Sequence, residues 1–332
     1  MTTGTHALPW SVIGHDWATD LLRSAVAAGR PPQALLITGQ PNVGKGTLAR
    51  SLAQSLLCTE AQRPCGACRA CRLVAASTHP DLRWVEPQGA SLKVDQVRAL
   101  TRQLALAPLE GSWQIAVLDR FEVATPGAAN ALLKTLEEPP SSVVLVLLAQ
   151  QAEALLPTIV SRCQVVALRP IPRAVIERAL VERWKVEEEQ ARLVSHISGG
   201  RLGWAVAATT TPGPLEQRAQ KLDDLISLLH GKRVARFAYA ESLARQAPEF
   251  ILESLELWTS WWRDVLLLNT HSRASLTNVD RQSELERTAS VCDTTSAHAA
   301  LSALRATQDR LLRNANTRLA LEVLLISLPF LS

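Results

Sequence analysis

The chain has 332 residues, 47% hydrophobic and 20% charged, a balance that can bury real cores and excludes a disordered polymer. Its 35 basic and 31 acidic residues leave a net charge of +4, too weak to name nucleic acid as a direct partner. Residues 1–20 lack the pattern of a secretory leader, and the greasy stretch 250–268 carries Glu253, Glu256, Arg263 and Asp264, so we expect a cytoplasmic protein with no membrane span. In that compartment a tight cysteine cluster reads as a metal site before it reads as disulfides.

In chain order, the first element is a short apolar run, Ala34–Thr38, which suits a buried parallel strand. Gly39-Gln40-Pro41-Asn42-Val43-Gly44-Lys45 follows, and a helix opens at Lys45 with Leu48, Leu52 and Leu56 on one face. The spacing is that of a P-loop: glycines let backbone N–H groups curl around phosphate, and the lysine and the helix N-terminus add positive charge. The next position should carry the hydroxyl that holds Mg²⁺. Here it is Gly46, with Thr47 one place late. A plain glycine-rich turn is the alternative reading.

Cys58, Cys65, Cys68 and Cys71 come next, spaced C-x6-C-x2-C-x2-C. Four thiolates on tight turns suit tetrahedral Zn²⁺ in a closed structural site with no open catalytic position. An iron–sulfur cluster and a redox-active dithiol stay open as alternatives. Cys163 and Cys292 stand apart and read as buried free thiols.

A helix is expected over 94–104 and a strand over 113–118, ending in Asp119. An apolar strand ending in Asp is the Walker B pattern, whose carboxylate supports Mg²⁺. Hydrolysing proteins of this architecture carry an acidic residue next. Arg120 stands there instead, and a guanidinium cannot act as a base. Glu122, taken as lying on an extended segment, reads as a poor substitute. Both Gly46 and Arg120 point to weak hydrolysis.

A helix over 128–138 and strands over 143–148 and 163–168 complete an alternating pattern, which argues for a parallel sheet covered on both faces. Strand signals then stop. Pro170 and Pro172 mark a break, short helices occupy 173–208, and Thr209–Pro214 reads as a linker. Long amphipathic helices are expected over 215–230, 248–269 and 297–314. The fold class is therefore α/β plus all-α, in three domains at 1–168, 169–210 and 211–332. His79 reads as a packed turn residue, and Trp258, Trp261 and Trp262 as core or subunit contacts.

Asn130 with Leu132-Leu133-Lys134-Thr135-Leu136-Glu137-Glu138-Pro139-Pro140, and Leu156-Pro157-Thr158-Ile159-Val160-Ser161-Arg162-Cys163, are highly specific. With the cysteine spacing, His79-Pro80-Asp81 and Val94-Asp95-Gln96-Val97-Arg98, they resemble the bacterial clamp-loader AAA+ subunits, the gamma/tau and delta prime chains of DNA polymerase III. The resemblance is strong over about residues 10–205 and rests on architecture alone beyond them. It implies an AAA+ domain with an inserted zinc module, a small helical lid and a helical collar for oligomerisation. Departures at Gly46 and Arg120 are those of delta prime chains rather than of gamma/tau motors.

The resemblance further implies partners: gamma/tau and delta subunits, and through the complex the sliding clamp and primed DNA. Arg162 would then act in trans as an arginine finger on ATP held by a neighbour. Such fingers are worth about 10³–10⁵ in rate in GTPases. Gly39, Gly44, Lys45, Gly46, Thr47 and Asp119 would line an ATP/Mg²⁺ site, working or vestigial, with Arg201 as the family's sensor 2 contact. No independent turnover is expected. The competing readings are a gamma/tau-type motor in which Thr47 rescues Mg²⁺, and a zinc-dependent nucleic-acid module. The last is disfavoured because no aromatic residue lies between Cys58 and Cys71.

Overall fold

The structure is a computed structural model that describes residues 10, 12–89, 91–312 and 315–331. The chain divides into two compact units at Val175/Ile176.

The first unit begins with α1 (Asp16–Ala27), β1 (Ala34–Thr38), α2 (Lys45–Leu57), α3 (Arg69–Ala75), β2 (Leu82–Val85) and α4 (Val94–Leu104). It continues with β3 (Gln114–Leu118), α5 (Pro126–Glu137), β4 (Val143–Ala149), the single-turn α6 (Pro157–Val160) and β5 (Gln164–Ala167). These five strands pair in parallel, in the order β2-β3-β4-β1-β5.

The three central strands are buried along their whole length, which is why they read as continuous apolar runs rather than alternating ones. Their side chains feed two cores. Leu35, Ile37, Val117 and Val146 pack with Leu48 and Leu52 of α2 on one face. Leu36, Leu118, Leu145 and Leu147 pack with Leu132 and Leu136 of α5 and Ile159 of α6 on the other. This is the parallel sheet covered on both faces that the alternating pattern predicts.

The strand β2 was not anticipated. It lies at the sheet edge, and Arg83, Trp84 and Val85 are only half-buried, so its apolar signal is short and broken.

The second unit is all helix: α7 (Arg173–Trp184), α8 (Glu188–Ile197), α9 (Leu202–Thr210), α10 (Pro214–His230), α11 (Arg233–Leu243), α12 (Pro248–Asn269), α13 (Gln282–Val291), α14 (Thr294–Leu312) and α15 (Thr317–Ser327). The expected linker 209–214 shortens to Thr211–Gly213 because α9 runs further than its threonines suggest. Thr209, Thr210 and Thr211 each turn a hydroxyl back onto the carbonyl four residues earlier (Ala205, Val206 and Ala207), which lets them end a helix instead of starting a loop.

Trp258, Trp261 and Trp262 are fully buried in the core of this unit, and the Trp258 indole N–H donates to the Lys221 carbonyl at 2.9 Å. Among the described residues no helix is long and apolar enough to cross a membrane.

Candidate nucleotide and metal sites

The P-loop sits at the C-terminal end of β1, between neighbouring strands β4 and β5, where open parallel sheets present ligands. Gly44 caps α2 with a φ of 117°, a conformation that favours glycine. Gly39 is required for a different reason: a Cβ there would lie 2.8 Å from the Leu168 carbonyl oxygen. Lys45 Nζ donates to the carbonyls of Gly39 at 2.5 Å and Gln40 at 2.9 Å, so the ammonium is drawn onto its own loop. A Cβ at Gly46 would sit in ordinary contact with the Trp84 ring at 3.7 Å, and Thr47 is exposed.

Asp119 directly follows β3, and its Oδ1 accepts from the Arg120 backbone N–H at 2.8 Å. Arg120 is left-handed with a φ of 48°. The chain then turns at once into a single 3-10 turn, Phe121–Val123. Glu122 is therefore not on an extended segment, and the reason for setting it aside does not hold.

The Glu122 Oε2 atom is buried without a hydrogen-bond partner among the described residues. Burial pushes its carboxyl above the usual carboxylate range, against the nearby positive charges of Lys45 and Arg120 and with the negative charge of Asp119. A second carboxyl thus belongs to the electrostatic neighbourhood of Lys45 and Asp119. The loop fits phosphate by its glycines, its lysine and the N-terminus of α2. The donor set for Mg²⁺ is thinner, with Asp119 but no hydroxyl at position 46.

The cysteines form the second site. Cys58 C-caps α2, Cys68 N-caps α3, and Cys71 lies in the first turn of α3. All four sulfurs lie within 4.8 Å of one another, with Cys58–Cys68 at 3.9 Å and Cys65–Cys71 at 4.0 Å. Tetrahedral zinc at about 2.3 Å from each sulfur sets sulfurs about 3.8 Å apart, so the residues fit the ion. Each C-x-x-C step also turns a backbone N–H onto sulfur: Cys68 N to Cys65 Sγ at 3.2 Å and Cys71 N to Cys68 Sγ at 3.4 Å. Burial works against ionising Cys68, yet the N–H groups of Cys71 and Thr59 and the neighbouring thiols hold it lowered, to about 6.

The module is tied down on both sides. Gln54 of α2 donates to the Cys71 carbonyl at 3.0 Å, and Arg69 pairs with Glu110 at 2.6 Å. The loop carrying Glu110 is itself fixed by buried Asp81, whose carboxylate accepts from the N–H groups of Leu109, Glu110 and Gly111. His79 is buried, as expected of a packed turn residue, and its Nδ1 accepts from the Asp81 N–H at 3.1 Å. Cys163 and Cys292 are free thiols, half-buried and buried respectively.

Arg162 follows α6. Its Nη1 donates to the Thr158 carbonyl at 2.8 Å and its Nη2 to Glu137 Oε1 at 2.6 Å. Sequence reasoning missed this pair, which joins the two most specific motifs across 25 positions. Arg201, in the second unit, N-caps α9. It donates from Nε to the Ser198 carbonyl at 2.9 Å, pairs with Glu256 at 3.5 Å and lies over the Trp204 ring.

Comparison with known proteins adds family evidence. Residues 14–172 match the family described as DNA polymerase III, delta subunit, and residues 212–329 match its C-terminal family. The chain is 33% identical to the DNA polymerase III subunit delta′ of Bacillus subtilis over 222 residues, 67% of each chain. It is 35% identical to that of Pseudomonas aeruginosa over 237 residues, 69% of this chain and 70% of the relative. The gamma/tau subunit of Mycobacterium tuberculosis matches at 34% over 175 residues, 52% of this chain and 30% of that one. A gamma subunit-related protein of Thermotoga maritima aligns in structure with a TM-score of 0.37 at 18% identity, covering 93% of this chain and 97% of that one.

Proposed function

Because this chain belongs to the delta prime family of DNA polymerase III clamp-loader subunits, we propose that it works as a non-hydrolysing arm of a clamp loader. Its partners are gamma/tau and delta subunits, and the complex places a sliding clamp on primed DNA at the expense of ATP bound elsewhere. Within that role we assign residues 1–168 to the AAA+ domain, 169–210 to the lid and 211–332 to the collar.

The observation that carries the reading is a pair of departures, one at the P-loop and one after β3: Gly46 removes the Mg²⁺ hydroxyl, and Arg120 replaces the acid that would polarise water. Gly39, Gly44, Lys45 and Asp119 still fit bound nucleotide. Arg162 is assigned as a finger acting on a neighbour's ATP, stabilising charge on the transferring phosphoryl group. The four cysteines hold structural zinc, which closes the loop between α2 and α3 and takes no part in the chemistry.

One observation favours a motor instead. Glu122 brings a buried carboxyl toward Lys45 and Asp119, and a base there would serve in place of residue 120.

The test is reconstitution. The purified chain alone should not turn ATP over at motor rates, and with gamma/tau and delta it should form one complex that loads clamps. Arg162→Ala should lower DNA- and clamp-stimulated ATPase of that complex, with turnover at the neighbouring site falling about 10³-fold or more, and leave assembly intact. Rapid turnover by the chain alone, abolished by Glu122→Gln, would establish the motor instead.

A further inference from the structure

We propose that Glu137 is the positioning residue for Arg162, fixing the direction in which the guanidinium is presented to a neighbouring subunit's nucleotide. The proposal rests on the finger reading above and goes beyond it. It gives a role to a glutamate that helical spacing alone leaves as an ordinary helix-end residue.

The geometry starts from two packed elements. Glu137 is the last residue of α5, directly before the stretch that ends in Pro139 and Pro140. Arg162 lies just past α6. Leu132 and Leu136 of α5 and Ile159 of α6 are buried in one core, so the two backbones are held at a fixed spacing before any polar contact forms.

Across that spacing the guanidinium is tied at both terminal nitrogens. Nη1 donates to the Thr158 carbonyl, which also accepts the Ser161 hydroxyl at 3.3 Å. Nη2 donates to Glu137 Oε1. Two ties at different nitrogens fix the plane of a rigid fork, where one would leave it free to swing. A guanidinium has five N–H donors. Two are used, which leaves three for phosphate oxygens.

Exposure says what the pair is for. Side-chain exposure is 34% for Arg162 and 50% for Glu137, and an ion pair this open to water adds little to fold stability. Both groups also stay reachable by a docking subunit. Glu137 lies at the C-terminal end of α5, where a carboxylate is unfavourable to the helix dipole unless a cation answers it. Arg162 is that cation. The pair orders a long, flexible side chain before the partner arrives, and preorganisation of this kind is what a charge-stabilising group needs.

The experiment uses the reconstituted complex of this chain with gamma/tau, delta, clamp and primed DNA. Glu137→Ala should lower kcat about tenfold with KM for ATP unchanged. Glu137→Gln, whose amide oxygen still accepts from Nη2, should recover at least half of the loss. On an Arg162→Ala background, Glu137→Ala should change nothing further.

A second readout needs no turnover. In the isolated chain, phenylglyoxal modification of Arg162, followed by peptide mass spectrometry, should run several-fold faster in Glu137→Ala than in the parent. If Arg162→Ala leaves the rate intact, the finger reading falls and the proposal with it. If Arg162→Ala slows the complex but Glu137→Ala does not, the proposal alone is overturned. It is also overturned if Glu137→Ala slows the Arg162→Ala complex further, or if Arg162 reactivity is unchanged.

Discussion

Glu122 shows how much one backbone torsion decides. Arg120 at a φ of 48° turns the chain straight into a 3-10 turn, and that turn carries a carboxyl back toward Lys45 and Asp119 and out of water. Its folded pKa is raised by burial. A carboxyl in that state binds more protons folded than unfolded between the two pKa values, so stability falls as pH rises through that window. Glu122→Gln removes the charge that burial penalises. We expect its Tm to exceed the parent's by a few degrees at pH 8, with the difference closing below about pH 4. Thermal scans across that range check the sign; a variant less stable than the parent at pH 8 would mean that Lys45 and Arg120 outweigh the burial. Neither Glu122 nor the Glu137–Arg162 pair was legible in the sequence. One depends on a left-handed residue that is not glycine, the other on two helices brought together by a core. The cysteines were legible because their ligand geometry is local: three lie within seven positions, each step closed by its own N–H···S bond.

At the scale of elements, the four-cysteine module is a graft on α2. The helix α3 has only seven residues, too short to persist alone in water. Its N-cap is Cys68, a candidate metal ligand, and its other ties include Gln54, the buried Val74 side chain and the Arg69–Glu110 pair, which is exposed on its arginine side. A metal ion bound at the four cysteines would therefore supply local folding energy. The chain should carry one zinc ion, measured by elemental analysis. Stripping it with chelator should cost amide protection over residues 65–76 by at least about tenfold in hydrogen exchange and leave β1 and β4 unchanged. Equal loss in the sheet would show that the module holds the whole unit together. Strands divided in legibility along the same line. The central strands β1, β3 and β4, covered on both faces, announce themselves as apolar runs, while β2 at the edge, with Arg83 and half-buried Trp84, does not.

At the scale of the molecule, two units with separate cores carry different surfaces. On α15, Leu319, Val323 and Ile326 are exposed at helical spacing, from 44% to 59%, with Phe330 just beyond. Val234 and Phe237 of α11 are also exposed, on the helix that packs against α15. An apolar face of this kind suits a contact with another protein, in keeping with the collar role proposed above and with a net charge near neutral. Val323→Glu should leave the isolated chain folded and weaken its assembly with gamma/tau and delta about tenfold or more, read by analytical ultracentrifugation. Unchanged assembly would place the contact elsewhere.

Arg236 joins the same two helices from inside. Its buried guanidinium donates to the carbonyls of Leu228 and Leu229 at the end of α10, and to Leu325, Leu328 and Pro329 at and beyond the end of α15. The bonds reach from 7 to 93 residues along the chain. On a ribosome, α10 and α11 emerge long before residues 325–329 exist to receive that charge. Burying it early would leave a cation half answered in an apolar core, which disfavours closing α11 before those residues are made. The outward apolar face, built from the same two helices, then comes into being in the same event that closes the core, and a half-made chain has no finished surface to offer a partner.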